Sequence, residues 1–187
     1  MANKESSIAY ENLNRRIFPG VGEYGIPRLE AETFDGNCEF VGFNYARGNC
    51  RNPEKKAVHF FIDDYQFDAL WRNVDRYVDK LRQFQYVLTP DFSTYTDFPK
   101  AIQIYNHYRK HWVGAYLQEF GCRGIPTISW STPVCFYLGT RRWLSGYIRR
   151  QSSFTAVYRR SAKEILSGCG HLAINSRRRY VMGGNYV

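Results

Sequence analysis

The sequence predicts an α/β protein with a mostly parallel sheet, open or barrel-like and incomplete, whose strands are joined by crossover helices. Short, nearly continuous apolar runs at residues 57–62, 86–89 and 125–130 are typical of strands buried on both faces. Two stretches of helical periodicity separate these runs. The connections are too long for hairpins, so we expect successive strands to be parallel.

The N-terminal part is predicted to be an arm followed by two strands. Residues 1–30 are polar with scattered glycine and proline, which favours an extended arm that wraps around the body over a regular element. The apolar stretch 39–45 is expected to form a strand, and 46–56 a polar loop. The strand at 57–62 then ends at Asp63 and Asp64.

Two amphipathic helices are predicted between the later strands. Apolar residues recur at helical spacing from Phe67 to Phe84, which indicates one helix of about five turns. Asp63 with Gln66 three residues later fits a capping box, and Asp64 is the alternative N-cap.

In the second helix, Pro99 is expected in the first turn and Gly121 at the C-terminal stop. The residues predicted to share its buried face are Phe98, Ala101, Ile102, Tyr105, Tyr108, Trp112, Ala115, Tyr116 and Phe120. His107 and His111 have the spacing of a zinc motif, but they lie opposite that face and lack its glutamate, so a solvated position is favoured.

Charge divides the chain into two parts. Residues 1–133 carry 16 Lys and Arg against 16 Asp and Glu, whereas residues 134–187 carry 10 against 1. We therefore expect an α/β body at 1–133 and an arginine-rich part at 134–187 that packs on the same domain, with a strand at 134–138 and a helix at 154–166.

Composition also excludes several classes of protein. No apolar run approaches the length of a membrane span and no signal-peptide layout is present, so a cytoplasmic protein with no membrane partner is expected. Five cysteines without a Cys-x-x-Cys pair favour reduced structural thiols over a metal site. The glycine-rich loops of nucleotide hydrolases and dehydrogenases and the serine elbow of esterases are absent.

Several stretches resemble a known family: residues 25–27, 40–46, 58–67, 88–93 and 125–131. Over roughly residues 12–132 the chain is similar to the phage and prophage family catalogued as domain of unknown function 4417. The resemblance implies an α/β body and a phage or prophage origin and supplies no mechanism, so the cytoplasm expected above is that of a bacterial host cell. It fades after Ser131, where the chain becomes arginine-rich. An acquired binding surface and a change of reading frame are both open explanations.

Acidic side chains at the predicted strand ends are the catalytic candidates. Ligands of parallel sheets bind beyond the carboxyl ends of the strands. Asp63, Asp64 and Asp91 fall there, together with Asn44, Ser93, Trp130 and Ser131. The three carboxylates are able to bind Mg²⁺ or act as acid and base. Helix capping and a Pro-Asp turn explain the same residues without chemistry.

The arginine-rich part carries the nucleic-acid-binding candidates. Its arginines alternate with Trp143, Tyr147, Tyr158 and Tyr180, a combination suited to phosphate contacts and base stacking. The arginines are Arg141, Arg142, Arg149, Arg150, Arg159, Arg160, Arg177, Arg178 and Arg179. A solvated basic surface is the alternative interpretation.

Two function hypotheses follow. The first is a phage accessory protein without catalytic activity or cofactor, which binds DNA, RNA or a host nucleoprotein and inhibits a host defence system such as a CRISPR effector. The second is an enzyme of unassigned reaction with a carboxylate site at the strand ends, for which Mg²⁺ is the candidate cofactor.

Overall fold

The computed structural model describes residues 10–30, 32, 38–130, 170–173 and 180–181. Short 3-10 turns lie at Tyr10–Asn12 and Pro53–Lys55. The strands and helices are, in chain order, β1 (Gly20–Val21), β2 (Ile26–Pro27), β3 (Glu39–Gly42), α1 (Phe43–Ala46), β4 (Lys56–His59), α2 (Asp64–Arg72), α3 (Asp75–Leu81), β5 (Tyr86–Leu88), α4 (Lys100–Glu119), β6 (Gly124–Ile125), β7 (Thr127–Trp130), β8 (Gly170–Ala173) and β9 (Tyr180–Val181). The strand and helix predicted at 134–138 and 154–166 lie outside the described residues.

A parallel sheet with the order β3-β4-β5-β6 is the centre of the body. In its register Val58 lies opposite Val41 on one side and Val87 on the other. Helices connect the strands, and within the described residues the sheet is open and does not close into a barrel. The α/β prediction with parallel strands and crossover helices is therefore confirmed.

The two faces of this sheet bury different clusters. Val58 and Val87 point into the large cluster that also contains the apolar side chains of α2, α3 and α4. Ala57, Tyr86 and Leu88, which alternate with them along the strands, form a smaller cluster with Ile125 on the other face. Both faces are thus buried, which is why β4 and β5 read as continuous apolar runs.

Two predicted elements are interrupted. The strand expected at 39–45 ends at Gly42, because the chain turns into α1 and buries Phe43 against Phe60, with ring centroids 5.2 Å apart. The helix expected from Phe67 to Phe84 is two helices, since Asn73 has φ −148° and ψ 73° and ends α2. The apolar spacing continues across this break, so periodicity alone did not reveal it.

The run at 125–130 also divides, at Pro126. Before it, β6 pairs with β5 in the parallel sheet; after it, β7 pairs antiparallel with β8 in a separate three-stranded sheet, β7-β8-β9. The C-terminal stop of α4 is as predicted, with Gly121 at φ +84° just after the last turn, while Pro99 lies at the N-cap, one position before the helix. In the part of the chain described, no helix has both the length and the apolar character needed to cross a membrane.

The described part of the N-terminal arm packs on the body and is not extended throughout. Strands β1 and β2 form a small antiparallel hairpin. The Asn12 side-chain amide donates a hydrogen bond to the Trp71 carbonyl, and the Trp112 indole N–H donates one to the Arg16 carbonyl. Both donor–acceptor distances are 2.9 Å. These bonds fix the arm against α2 and α4.

Candidate functional site

The carboxyl edge of the parallel sheet brings together two of the three predicted carboxylates. Asp64 begins α2, beyond the end of β4, and Asp91 follows β5. Asp64 accepts hydrogen bonds from the backbone N–H of Ser93 at 3.1 Å and from its hydroxyl at 2.9 Å. The Asp64 bond to Ser93 therefore ties the loop after β5 to the start of α2.

Asp63 stands apart from this cluster. It occupies the N-cap position of α2, is exposed, and accepts a long hydrogen bond of 3.4 Å from the Gln66 side chain. Its carboxylate makes no capping bond to the helix backbone. The predicted capping box is therefore not formed, because its bonds run from side chain to backbone and this contact joins two side chains. Among the described contacts none joins Asp63 to Asp64 or Asp91.

Asp91 forms a buried ion pair that the sequence did not reveal. The Lys110 ammonium lies 3.1 Å from an Asp91 carboxylate oxygen, and both side chains are 2% exposed. Lys110 comes from the middle of α4, where a lysine ordinarily indicates a solvated face. Burial of two charges is tolerated only where they pair, so the pair fixes how α4 sits on the sheet edge.

The helix face that carries Lys110 is polar and buried along its length. The members of this polar stripe, spaced at three or four residues, are Gln103, Asn106, His107, Lys110 and His111. The prediction of a solvated position for the two histidines is therefore wrong. The physical reason is that α4 is covered on both sides: Trp112 packs on Trp71, while β2 and the loop after β5 cover the polar stripe.

Both histidines are held neutral. Burial, reinforced by the Lys110 charge, lowers the pKa of His107 well below its usual 6.5. The same causes lower the pKa of His111 to about 3, although a hydrogen bond to the Pro27 backbone opposes the shift. The Nε2 atom of His107 is buried and has no hydrogen-bond partner among the described residues. It is thus available to accept or donate one hydrogen bond next to a lysine.

A second line of polar contacts runs from Asp64 to Arg109. The Asn106 amide donates to the Ser93 carbonyl, and its oxygen accepts from the Arg109 guanidinium at 2.6 Å. That guanidinium lies 3.9 Å from the Phe92 ring centroid. Burial raises the pKa of Asp64, while the bonds from Ser93 and the nearby Arg109 charge work in the opposite direction.

The described part of this edge offers acid–base and hydrogen-bonding groups rather than a metal centre. Among the described residues no three His, Cys, Asp or Glu side chains are grouped to hold a metal ion. The other residues predicted at the edge divide: Asn44 has a buried side-chain oxygen with no described partner, and Ser93 belongs to the cluster. Ser131, the Trp130 side chain and all nine candidate arginines lie outside the described residues.

Comparison with known proteins gives one family and two phage relatives. A model of the family described as domain of unknown function (DUF4417) matches residues 18–165, a range that includes the strand-end cluster and extends into the arginine-rich part. The chain is 49% identical over 80 residues to the Gene 1 protein of Mycobacterium phage L5, which covers 43% of this chain and 35% of that protein. It is 38% identical over 134 residues to the Gene 1 protein of Mycobacterium phage D29, covering 68% and 47% respectively.

The chain thus spans between about a third and a half of the length of these two relatives. No solved structure matches it.

Proposed function

This chain belongs to the family described as domain of unknown function (DUF4417), with Gene 1 proteins of mycobacteriophages among its relatives, and we propose that it is a phage protein that binds nucleic acid or a nucleoprotein. The binding surface is formed by residues 134–187. DNA, RNA and a host nucleoprotein are the partner classes. Interference with a host defence system, such as a CRISPR effector, is the proposed consequence of that binding.

The distribution of positive charge is the observation that carries this proposal. Seven ion pairs between described residues engage arginines and lysines of the body with its own carboxylates. Residues 134–187 contain ten Lys and Arg and one acid, so their charge has no comparable set of partners within that part of the sequence. Cations in excess, interleaved with aromatic rings, are what sequence-tolerant binding of nucleic acid requires.

Salt dependence of binding tests the proposal. Fluorescence anisotropy with labelled duplex and single-stranded oligonucleotides should give a linear fall of log K with log salt concentration. Replacing Arg177, Arg178 and Arg179 by glutamine should reduce the slope by roughly two to three, because about 0.7 to 0.9 counterion is released per phosphate contact.

A matched control removes the same charge from the body. Arg28, Arg51 and Arg76 are exposed there, and their replacement by glutamine should leave the slope as in the wild type. The proposal is overturned if no oligonucleotide binds at low salt, or if the body variant loses as much of the slope as the variant at residues 177–179.

The strand-end cluster favours a second candidate, an enzyme or receptor for a small polar ligand. Its supporting observation is the buried Asp91–Lys110 pair beside the neutral His107, at the edge where parallel sheets bind ligands. There Lys110 would stabilise negative charge on a substrate, and the neutral His107 would accept or donate one hydrogen bond to it. Asp64 is a further carboxylate in this cluster, and burial raises its pKa.

Thermal unfolding separates a metal-dependent form of this candidate from a metal-free one. If Mg²⁺ or Mn²⁺ binds at Asp91, either ion should raise the Tm of the wild type and leave the Asp91→Asn variant unchanged. The metal-dependent form is contradicted if neither protein responds. A screen of small metabolites on the wild type and the His107→Gln variant, which keeps the Asp91–Lys110 pair, then tests the metal-free form. That form requires a ligand that raises the Tm of the wild type more than that of the variant.

A further inference from the structure

Three exposed tyrosines follow three neighbouring strands at the carboxyl edge of the sheet. We propose that Tyr45, Tyr65 and Tyr95 form a stacking platform for the unpaired bases of single-stranded nucleic acid. This proposal rests on the proposed nucleic-acid binding and extends it from the arginine-rich part to the body. It names a second set of contacts, made to bases instead of phosphates.

The topology places all three tyrosines in segments that follow the carboxyl ends of neighbouring strands. Tyr45 lies in α1 directly after β3, Tyr65 is the second residue of α2 after β4, and Tyr95 follows β5. These strands are consecutive neighbours in the sheet and parallel, so their carboxyl ends meet at the same side, with about 5 Å between adjacent strands. The exposed fractions of Tyr45, Tyr65 and Tyr95 are 73%, 78% and 51%.

The segments that carry Tyr65 and Tyr95 are joined through the cluster described above. Asp64 directly precedes Tyr65, and it binds Ser93, which lies two residues before Tyr95. The Tyr95 ring is held edge-on against Phe98 with centroids 5.0 Å apart, and its carbonyl accepts a bond from the Gln103 amide at 3.2 Å. A ring already held in place loses little conformational freedom when a base stacks on it.

The charges near Tyr65 favour a base over a phosphate as the group bound beside that ring. The carboxylates of Asp63 and Asp64 adjoin Tyr65 in the sequence, whereas the exposed Arg47 lies two residues from Tyr45 and suits a phosphate of the same strand. Carboxylates repel phosphate but accept hydrogen bonds from the amino groups of bases. In a duplex the base faces are hidden by stacking, so the platform fits a single strand, whose bases stack on aromatic side chains irrespective of sequence.

Binding at several salt concentrations distinguishes this contact from the arginine contacts. Stacking does not release counterions, so the variant Tyr65→Ala with Tyr95→Ala should bind single-stranded DNA and RNA oligonucleotides about fivefold or more weakly at every salt concentration, with an unchanged slope. Conservative replacement of both by phenylalanine should restore the affinity. Tyr24→Ala removes a 42% exposed tyrosine from the β1–β2 hairpin and is the matched control, expected to bind like the wild type.

Oligonucleotides with abasic sites provide the second arm. The wild type should prefer the base-containing strand over an abasic strand of equal length, and the double alanine variant should lose most of that preference. An alanine variant that binds like the wild type, or a wild type that does not distinguish the two strands, overturns the platform while leaving the salt-dependent binding intact. If no oligonucleotide binds at any of the salt concentrations, both proposals are overturned.

Discussion

Removal of one partner of the buried Asp91–Lys110 pair is expected to destabilise the protein strongly. Lys110→Met keeps most of the side-chain volume and removes the charge, so the Asp91 carboxylate stays buried without its ammonium partner at 3.1 Å. Since both side chains are 2% exposed, water screens the interaction little, and breaking such a pair costs about 3–5 kcal/mol. That is a large fraction of a total stability of roughly 5–15 kcal/mol.

Urea unfolding followed by circular dichroism measures this cost. The midpoint of Lys110→Met should fall with little change in the slope m, because the surface exposed on unfolding is nearly the same. Adding Asp91→Leu should recover most of the lost free energy, since an apolar pair of similar volume replaces a buried ion pair at little or no cost.

The exposed pair Arg82–Asp79 is the matched control. Its atoms are 3.3 Å apart, but the side chains are 57% and 88% exposed, and Arg82→Met should cost less than about 1 kcal/mol. If Lys110→Met costs no more than Arg82→Met, or if the double variant is less stable than the single one, the pair does not have the role assigned to it.

Three further predictions concern pH, packing and thiol reactivity. Burial keeps the folded pKa of His111 at about 3 and that of His107 well below 6.5, so their contribution to stability is complete above pH 6.5. Below pH 6.5 the free energy of unfolding should fall by roughly 1 kcal/mol per pH unit for each histidine, because the unfolded chain binds protons that the folded protein does not. Urea titrations at pH 7, 6 and 5 should show this fall, and replacement of both histidines by glutamine should make it smaller. Gly114→Ala should lower the Tm despite the better helix propensity of alanine, because its Cβ would lie 2.6 Å from a Thr89 methyl carbon. Gly48→Ala is the control and should leave the Tm unchanged. An unchanged Tm for Gly114→Ala would contradict the close approach. Burial raises the pKa of Cys122 to about 11. In a variant that keeps only this cysteine, a thiol reagent at pH 8 should therefore react slowly with the folded protein, and urea should accelerate the reaction. Rapid labelling of the folded protein would show that the thiol is accessible.

The strands and their parallel arrangement could be predicted because both faces of the sheet are buried. Side chains such as Val58 and Tyr86 bury on opposite faces, so both faces need apolar residues and the run becomes continuous. The ends of these elements were harder to predict. Phe43 and Ala46 are equally apolar in a strand and in a short helix, and only packing against Phe60 decides between the two.

The candidate site shows where periodicity misleads. A polar residue opposite an apolar stripe is ordinarily solvated, which is why His107 and His111 were expected on the surface. In α4 the polar side is covered too, and its lysine is balanced by Asp91, a residue 19 positions earlier in the chain. A pairing over that separation depends on how the helix docks, so no local pattern could indicate it. The sequence does show that the polar residues 103, 106, 107, 110 and 111 share one face of the helix, but not that this face is buried.

The order of the strands has a consequence for synthesis on the ribosome. Each strand from β4 to β6 pairs with the strand made just before it, so the sheet can grow in the direction of translation. A nascent chain that has emerged as far as β5 already holds three adjacent strands, with β5 as the growing edge. Once β6 has paired, Pro126 has no N–H group that could extend the ladder, and the chain continues into the antiparallel sheet of β7, β8 and β9.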